Sequence, residues 1–424
     1  MKVLLISANT ERMNILPLPL GLNCVAVATR NAGHLVLLLD LMAEKDSKLA
    51  IMEAITSFCP DVIGISVRNI DSQNMDSPIL LLDQVKDVID DCRTLSIAPI
   101  ILGGAGYSIY PESALEYLEA DMGIQGEGEV AFPVLLDKIQ RGADLSGTPG
   151  LYLRGLGPQG KRLYAEGLDE LPLPDEKLWF VSSSGRDDFG IPIQTRRGCP
   201  MDCNYCSTAT IEGRALRKRS PGLVIKNIKR HVNAGYKMFY FVDNTFNIPL
   251  PYAKELCRMI INEKLGISWN CIIYPGKVDK EFVDLLVMAG CKEVSLGFES
   301  GSENILRVMN KKFTLSSIRH TSEMLKACGI KQLGFLMLGG PGETKESARQ
   351  SLVFADSLKL DAMKVSIGIR IYPHTLLSKT AIACGLISPE DDLLSPRFYI
   401  VSELEQWLRK TVTTWMENRP NWMT

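Results

Sequence analysis

Short apolar runs alternate with helical patterns over the first third of the chain. KVLLIS (2–7), LVLLLD (35–40), VIGIS (62–66), IILGG (100–104) and DMGIQ (121–125) have the length and apolar density of buried strands. Between them GLNCVAVATRNAG, SKLAIMEAITSF, ILLLDQVKDVIDDC and PESALEYLEA carry the periodicity of helices packed on one face. Strands alternating with helices predict an α/β fold with a five-stranded, doubly wound, Rossmann-like parallel sheet, because parallel neighbours need a crossover. Such sheets bind ligands beyond the carboxyl ends of their strands. That rule singles out the loops Ala8 to Leu18, Ser66 to Ser77 and Gly103 to Tyr110.

From Ser146 to Gly190 the pattern breaks into turn-rich sequence, with LYLRG and KRLYAEG as a small hairpin and LPLPD as a stiff connector. Alternation then resumes with strands at IPIQTRRG, MFYFVDN, SWNCIIY, EVSLGFE, QLGFLML and KVSIGIR. The pattern divides the chain into a first domain (1–145), a linker with the hairpin (146–190), a second β/α domain (191–375) and a C-terminal helical extension (376–424). Trp407, Trp415 and Trp422 in that extension either cap the second domain or pack as core.

Composition narrows the function classes. A chain of 424 residues with 46% hydrophobic content can fill two domains, and a net charge of −2 gives no general attraction to nucleic acid or anionic lipid. No apolar run reaches membrane-spanning length, and the first apolar stretch is strand-length without a small-residue cleavage site. Eleven cysteines without a signal peptide predict reduced thiols and a cytoplasmic location. Eight of them are scattered singly and read as small core residues.

The other three stand together in RRGCPMDCNYCS, as Cys199, Cys203 and Cys206. A structural zinc wants four ligands, whereas a 4Fe-4S cubane held by three thiolates leaves one iron open for a substrate to chelate. A zinc loop with a remote fourth ligand is the alternative reading of the same residues. The CxxxCxxC spacing resembles that of the radical S-adenosylmethionine (SAM) superfamily. The resemblance implies a partial (β/α)6 barrel, SAM bound at the open iron, and reductive cleavage to a 5'-deoxyadenosyl radical, with an external electron donor such as flavodoxin or ferredoxin. Tyr205 matches the family's aromatic position beside adenine. Asp243 and Asn244 match the second-strand position that holds the SAM amino group. Glu299 and Ser300, in GFESGSENILRVMNK, match the fourth-strand position near the ribose and methionine. Gly334, Gly339 and Gly340, in GFLMLGGPGET, match the segment that packs against adenine.

PLPLGLNCVAVATRNAGHLVLLLD, PDVIGISVRN, IILGGAGYSIYPE and GIQGEGEVAF resemble the cobalamin-binding domain that precedes many radical SAM domains. Gly103 and Gly104 would admit the nucleotide loop and Ser66 would supply a hydroxyl contact. The DxHxxG motif that gives cobalt a histidine is absent, and His34, His231, His320 and His374 fall outside the three loops. Arg68 and Asn69 are therefore the candidates for the lower face of the corrin. The basic run GRALRKRS directly follows the cysteine loop, so Arg217 or Arg219 could meet the SAM carboxylate or an anionic substrate. Arg370 and Tyr372 close the sixth strand of the second domain. The resemblance implies methyl transfer to an unactivated carbon or phosphorus centre of a small-molecule or natural-product substrate, through the 5'-deoxyadenosyl radical and methylcobalamin. The alternatives are a radical cyclisation, ring contraction or rearrangement, with or without cobalamin, and a noncatalytic sensor.

Overall fold

The computed structural model describes residues 1–11, 18–179 and 190–424. Part of the predicted loop from Ala8 to Leu18, and the end of the predicted linker, lie outside the described residues. The first sheet contains β1 (Lys2–Ser7), β2 (Leu35–Asp40), β3 (Val62–Ser66), β4 (Ile100–Gly103) and β5 (Met122–Ile124) in the order β2-β1-β3-β4-β5, all parallel. The interior strand β1 is buried from Val3 through Ser7 because helices cover both faces, which is why its sequence is a continuous apolar run. Helix starts are set locally. Asp46 accepts the Leu49 amide at 3.0 Å to cap Ser47–Phe58, and a capping box at Thr314 and Ser317 opens Leu315–Ala327.

The predicted hairpin forms with a different partner. β6 (Leu151–Leu153) pairs with β7 (Gly157–Pro158), not with KRLYAEG, and β6 runs antiparallel to β5, so the hairpin extends the first sheet to seven strands. The turn closes too soon after LYL for the second apolar run to reach the ladder.

The second domain begins at β8 (Ile191–Ile193). A two-strand ribbon, β9 (Arg196–Arg197) and β10 (Arg217–Lys218), then brackets the cysteine loop. β11 (Met238–Phe241), β12 (Ser268–Ile273), β13 (Cys291–Glu299), β14 (Lys331–Leu338) and β15 (Ala362–Ile367) follow in parallel and in sequence order from β8. These are the six predicted strands of the partial barrel. β16 (Ile369–Arg370) and β17 (Phe398–Tyr399) form a short antiparallel pair. Beyond the helix Glu405–Met416, β18 (Trp422–Met423) pairs parallel to β15, so the C-terminal extension is not purely helical. Trp422 is buried and Trp415 lies against it, so these two tryptophans pack as core.

The two domains share packing. Ile305, Met309, Ile369 and Ile371 of the second domain and Leu377 of the extension belong to the same apolar cluster as Ile63, Ile65 and Leu102 of the first sheet. Asp71 and Arg370, both buried, form an ion pair at 2.8 Å between the loop after β3 and β16. No helix among the described residues is long and apolar enough to cross a membrane.

Candidate active site

The loop between β9 and β10 carries Cys199, Cys203 and Cys206, all half-buried. Burial, joined by the charges of the neighbouring cysteines and Glu212, pushes the Cys199 thiol up from its ordinary range. Cys203 is pushed up by burial and pulled back by Lys311. Cations bound there would reverse this penalty, since metal-bound thiols are deprotonated. Among the described residues no group of three or more His, Cys, Asp or Glu side chains is arranged to hold a single metal ion. Three half-buried thiols held in one short loop fit ligands to separate irons of a cubane.

Glu299 ends β13 with φ +64°, a left-handed conformation that a non-glycine residue adopts at a cost. A register shift between Leu296 and Glu299 accompanies it. The turn directs the carboxylate back to the cysteine loop, where Oε1 accepts from the Tyr205 hydroxyl at 3.1 Å and from Lys311 Nζ at 3.3 Å. Among the described residues no hydrogen bond is made to Oε2. Asn244 is exposed in the same region, donating to Glu212 at 2.9 Å and lying 3.5 Å from Thr208 Oγ1. Cys206 Sγ in turn is 3.2 Å from Thr208 Oγ1.

Several predicted ligand residues are occupied by the fold. Asp243 is fully buried: its carboxylate accepts from Thr195 N at 2.8 Å, Thr195 Oγ1 at 2.6 Å and Arg196 N at 3.2 Å, with Arg196 Nε at 3.5 Å. It clamps the end of β8 to the end of β11 and presents no open face to an ammonium. Ser300 is buried between the Ser351 hydroxyl, at 3.0 Å, and the Ser302 amide. A side chain on Gly334 would meet Leu360 and Met363, one on Gly339 would meet Ile400, and one on Gly340 would meet Ile369. These glycines answer to protein packing. Arg217 is spent on Glu127 and on the carbonyls of Ala165 and Glu212, and Arg219 on the carbonyls of Leu171 and Pro172. Neither guanidinium is available to a carboxylate.

A cavity of about 440 Å³ lies between the carboxyl edge of the first sheet and the start of the barrel. Ser66, Arg68, Gly103 and Gly104 line one side, and Gln194, Glu212 and Tyr240 line the other. Asn69 faces a small side pocket instead. Gly104 has φ +103° and its missing Cβ would fall 2.5 Å from the Val67 carbonyl, whereas Gly103 has nothing nearer than 4.0 Å and leaves the cavity open. Arg68 makes no ion pair or hydrogen bond with the described residues, and burial holds its guanidinium below its ordinary range. Among the described residues no histidine lines the cavity: His231 is held by Trp179 and Asn227, and His34 lies beside the Met1 amine. An open glycine-edged wall and an unengaged cation fit a large planar group bearing amide side chains, with no imidazole ligand for its metal.

Sequence reasoning passed over Lys311, Glu212 and the ion network that joins the halves. Glu127 and Glu129, in the GEGEV segment after β5, pair with Arg197 of β9 at 3.3 and 2.5 Å, and Glu127 also pairs with Arg217 of β10 at 2.6 Å. All four side chains are largely buried. The signals were present as an acidic pair in one quoted motif and the terminal lysine of another, but only the fold brings them to the cysteine loop.

The radical SAM superfamily model matches residues 193–355 and the B12 binding domain model matches residues 14–136. An uncharacterized methyltransferase of Pyrococcus horikoshii is 27% identical over 97% of this chain and 91% of its own. The tryptophan 2-C-methyltransferase of Streptomyces laurentii is 23% identical over 85% of this chain and 72% of its own. The structure of the radical SAM methyltransferase TsrM from Kitasatospora setae, with tryptophan and a SAM analogue bound, aligns over all of this chain and 90% of its own with a TM-score of 0.87 at 21% identity.

Proposed function

The chain belongs to the radical SAM enzymes that carry an N-terminal cobalamin-binding domain, and from that premise we propose that it methylates an unactivated carbon or phosphorus centre of a small molecule. The observation that carries the proposal is the cavity between sheet and barrel, bounded by the predicted cobalamin loops on one side and by the segments next to the cysteine loop on the other. When bound, a 4Fe-4S cluster and SAM supply a 5'-deoxyadenosyl radical, and cobalamin supplies a transferable methyl group.

The chain's own part is binding, orientation and exclusion of water. Cys199, Cys203 and Cys206 are assigned to the cluster. The Oε2 atom of Glu299 and the exposed amide of Asn244 are assigned to the ribose hydroxyls and the amino group of SAM, which need acceptors. Tyr205, fixed through its hydroxyl to Glu299, offers a ring for adenine. Asp243 keeps a positioning role, holding the strand end from which the cysteine loop departs. On the other wall, Gly103 and Gly104 would let the corrin approach the backbone, and Arg68 would close its lower face without coordinating the metal. An external one-electron carrier, flavodoxin or ferredoxin in type, and a cytoplasmic setting complete the reading.

The test is anaerobic reconstitution with iron, sulfide, cobalamin, SAM and a reductant. Formation of 5'-deoxyadenosine together with S-adenosylhomocysteine supports methyl transfer. 5'-Deoxyadenosine alone would move the assignment to a radical rearrangement, and neither product would overturn the enzymatic reading.

A further inference from the structure

Lys311 sits where lysines are rarely found. Its side chain is 6% exposed, between the Glu299 carboxylate at 3.3 Å and the Gly297 carbonyl at 3.5 Å, with its ammonium 5.4 Å from the centre of the Tyr205 ring and 5.9 Å from that of Phe313. A buried ammonium is costly, and both of its polar contacts are long. Fixing Glu299 does not explain that cost, because Tyr205 already donates to the same oxygen and does so at the shorter distance. The other neighbour of the ammonium is the cysteine loop. The segment that carries Lys311 is bonded to the cysteine loop on both sides of Cys203, the Asn204 amide donating to the Met309 carbonyl at 3.2 Å and Asn310 Nδ2 donating to the Asp202 carbonyl at 3.0 Å, so the ammonium over the Tyr205 ring lies against that loop.

We infer that Lys311 is a positioning residue that eases reduction of the cluster, by holding a buried positive charge against the thiolate-bound irons. The inference rests on the reading of Cys199, Cys203 and Cys206 as cluster ligands. A cubane on three thiolates carries net negative charge, and the electron received from a one-electron donor adds one more. A nearby cation in a poorly solvated site offsets that addition, and net charge is one of the terms that set a cluster's potential. Glu299 carries the opposite charge beside the same loop, so the two residues should act with opposite signs.

The experiment uses the full chain with its cluster reconstituted and without SAM, titrated with dithionite and followed by paramagnetic resonance, after iron and sulfide are measured in each protein. For Lys311→Met, reduction should become at least tenfold less favourable, a fall of about 59 mV for a one-electron couple. Lys311→Arg should restore the potential, and Glu299→Gln should raise it. A merely structural lysine would not produce shifts of opposite sign with intact iron content. Unchanged potentials in Lys311→Met and Glu299→Gln overturn the inference. If Lys311→Met does not retain its cluster, Glu299→Gln decides alone, and a potential equal to or below the parent's overturns it. Absence of iron from the reconstituted parent would remove the ligand reading itself, an outcome distinct from a parent with a cluster whose potential ignores Lys311.

Discussion

Asp243→Ala should act on the fold before it acts on SAM. The carboxylate accepts two backbone amides and the Thr195 hydroxyl and faces Arg196, all out of contact with water. Burial pushes the carboxyl up from its ordinary range while Arg196 and the Thr195 donors pull it back. Removing it strands a buried guanidinium whose Nη2 already lacks a partner. Breaking such a pair from one side costs about 3–5 kcal/mol, a large share of the roughly 5–15 kcal/mol that holds a typical domain together. At about 2–4 °C per kcal/mol for a domain of this size, the apparent melting temperature should fall by roughly 6–20 °C. Asp243→Asn, which keeps one acceptor, should fall less. The assay is anaerobic thermal unfolding at a fixed scan rate, paired with calorimetric titration of SAM into the reconstituted protein. An alanine variant that melts with the parent yet binds SAM at least tenfold more weakly would refute the reasoning and return Asp243 to the ligand.

Each single Cys→Ala change at 199, 203 and 206 should lower bound iron after anaerobic reconstitution and abolish 5'-deoxyadenosine formation; stoichiometric zinc without iron or sulfide in the parent would count against the cubane. Gly104→Ala places a Cβ against the Val67 carbonyl in a left-handed conformation and should cost about 1–3 kcal/mol in a urea unfolding series. Gly103→Ala has room and should unfold with the parent, yet retain cobalamin at least tenfold more weakly after gel filtration. The reduced cobalamin-bound protein should show no nitrogen superhyperfine splitting from an axial ligand, and Arg68→Ala should shift its optical spectrum without creating that splitting.

Eleven parallel strands were legible because each is an apolar run that neighbouring strands and helices bury, a signal written in consecutive residues. β18 was not, since two residues gain their place only by docking beside β15. The cysteine loop was legible for the same local reason: three ligands within eight positions need no long-range information. Asp243 shows the limit. A carboxylate at a strand end can turn toward the ligand or back to the adjacent strand, and the choice depends on Arg196, 47 positions away in sequence. Gly334 looked like room for a ligand and proved to be room for Leu360 and Met363. Lys311 lay inside a quoted motif, but its importance comes from Tyr205, which another segment contributes.

The pairing of Glu127 and Glu129 with Arg197 and Arg217 sets a rule for anyone who would take this protein apart. An isolated barrel would keep two arginines whose counter-ions had left with the other half, and they flank the loop that has to grip the cluster. Such a fragment should express poorly or fail to load iron, whatever residue is chosen as its first. A graft of a foreign N-terminal half would inherit the same demand: the incoming segment after its fifth strand must carry two acidic side chains in the same turn, or the recipient arginines must be neutralised with it.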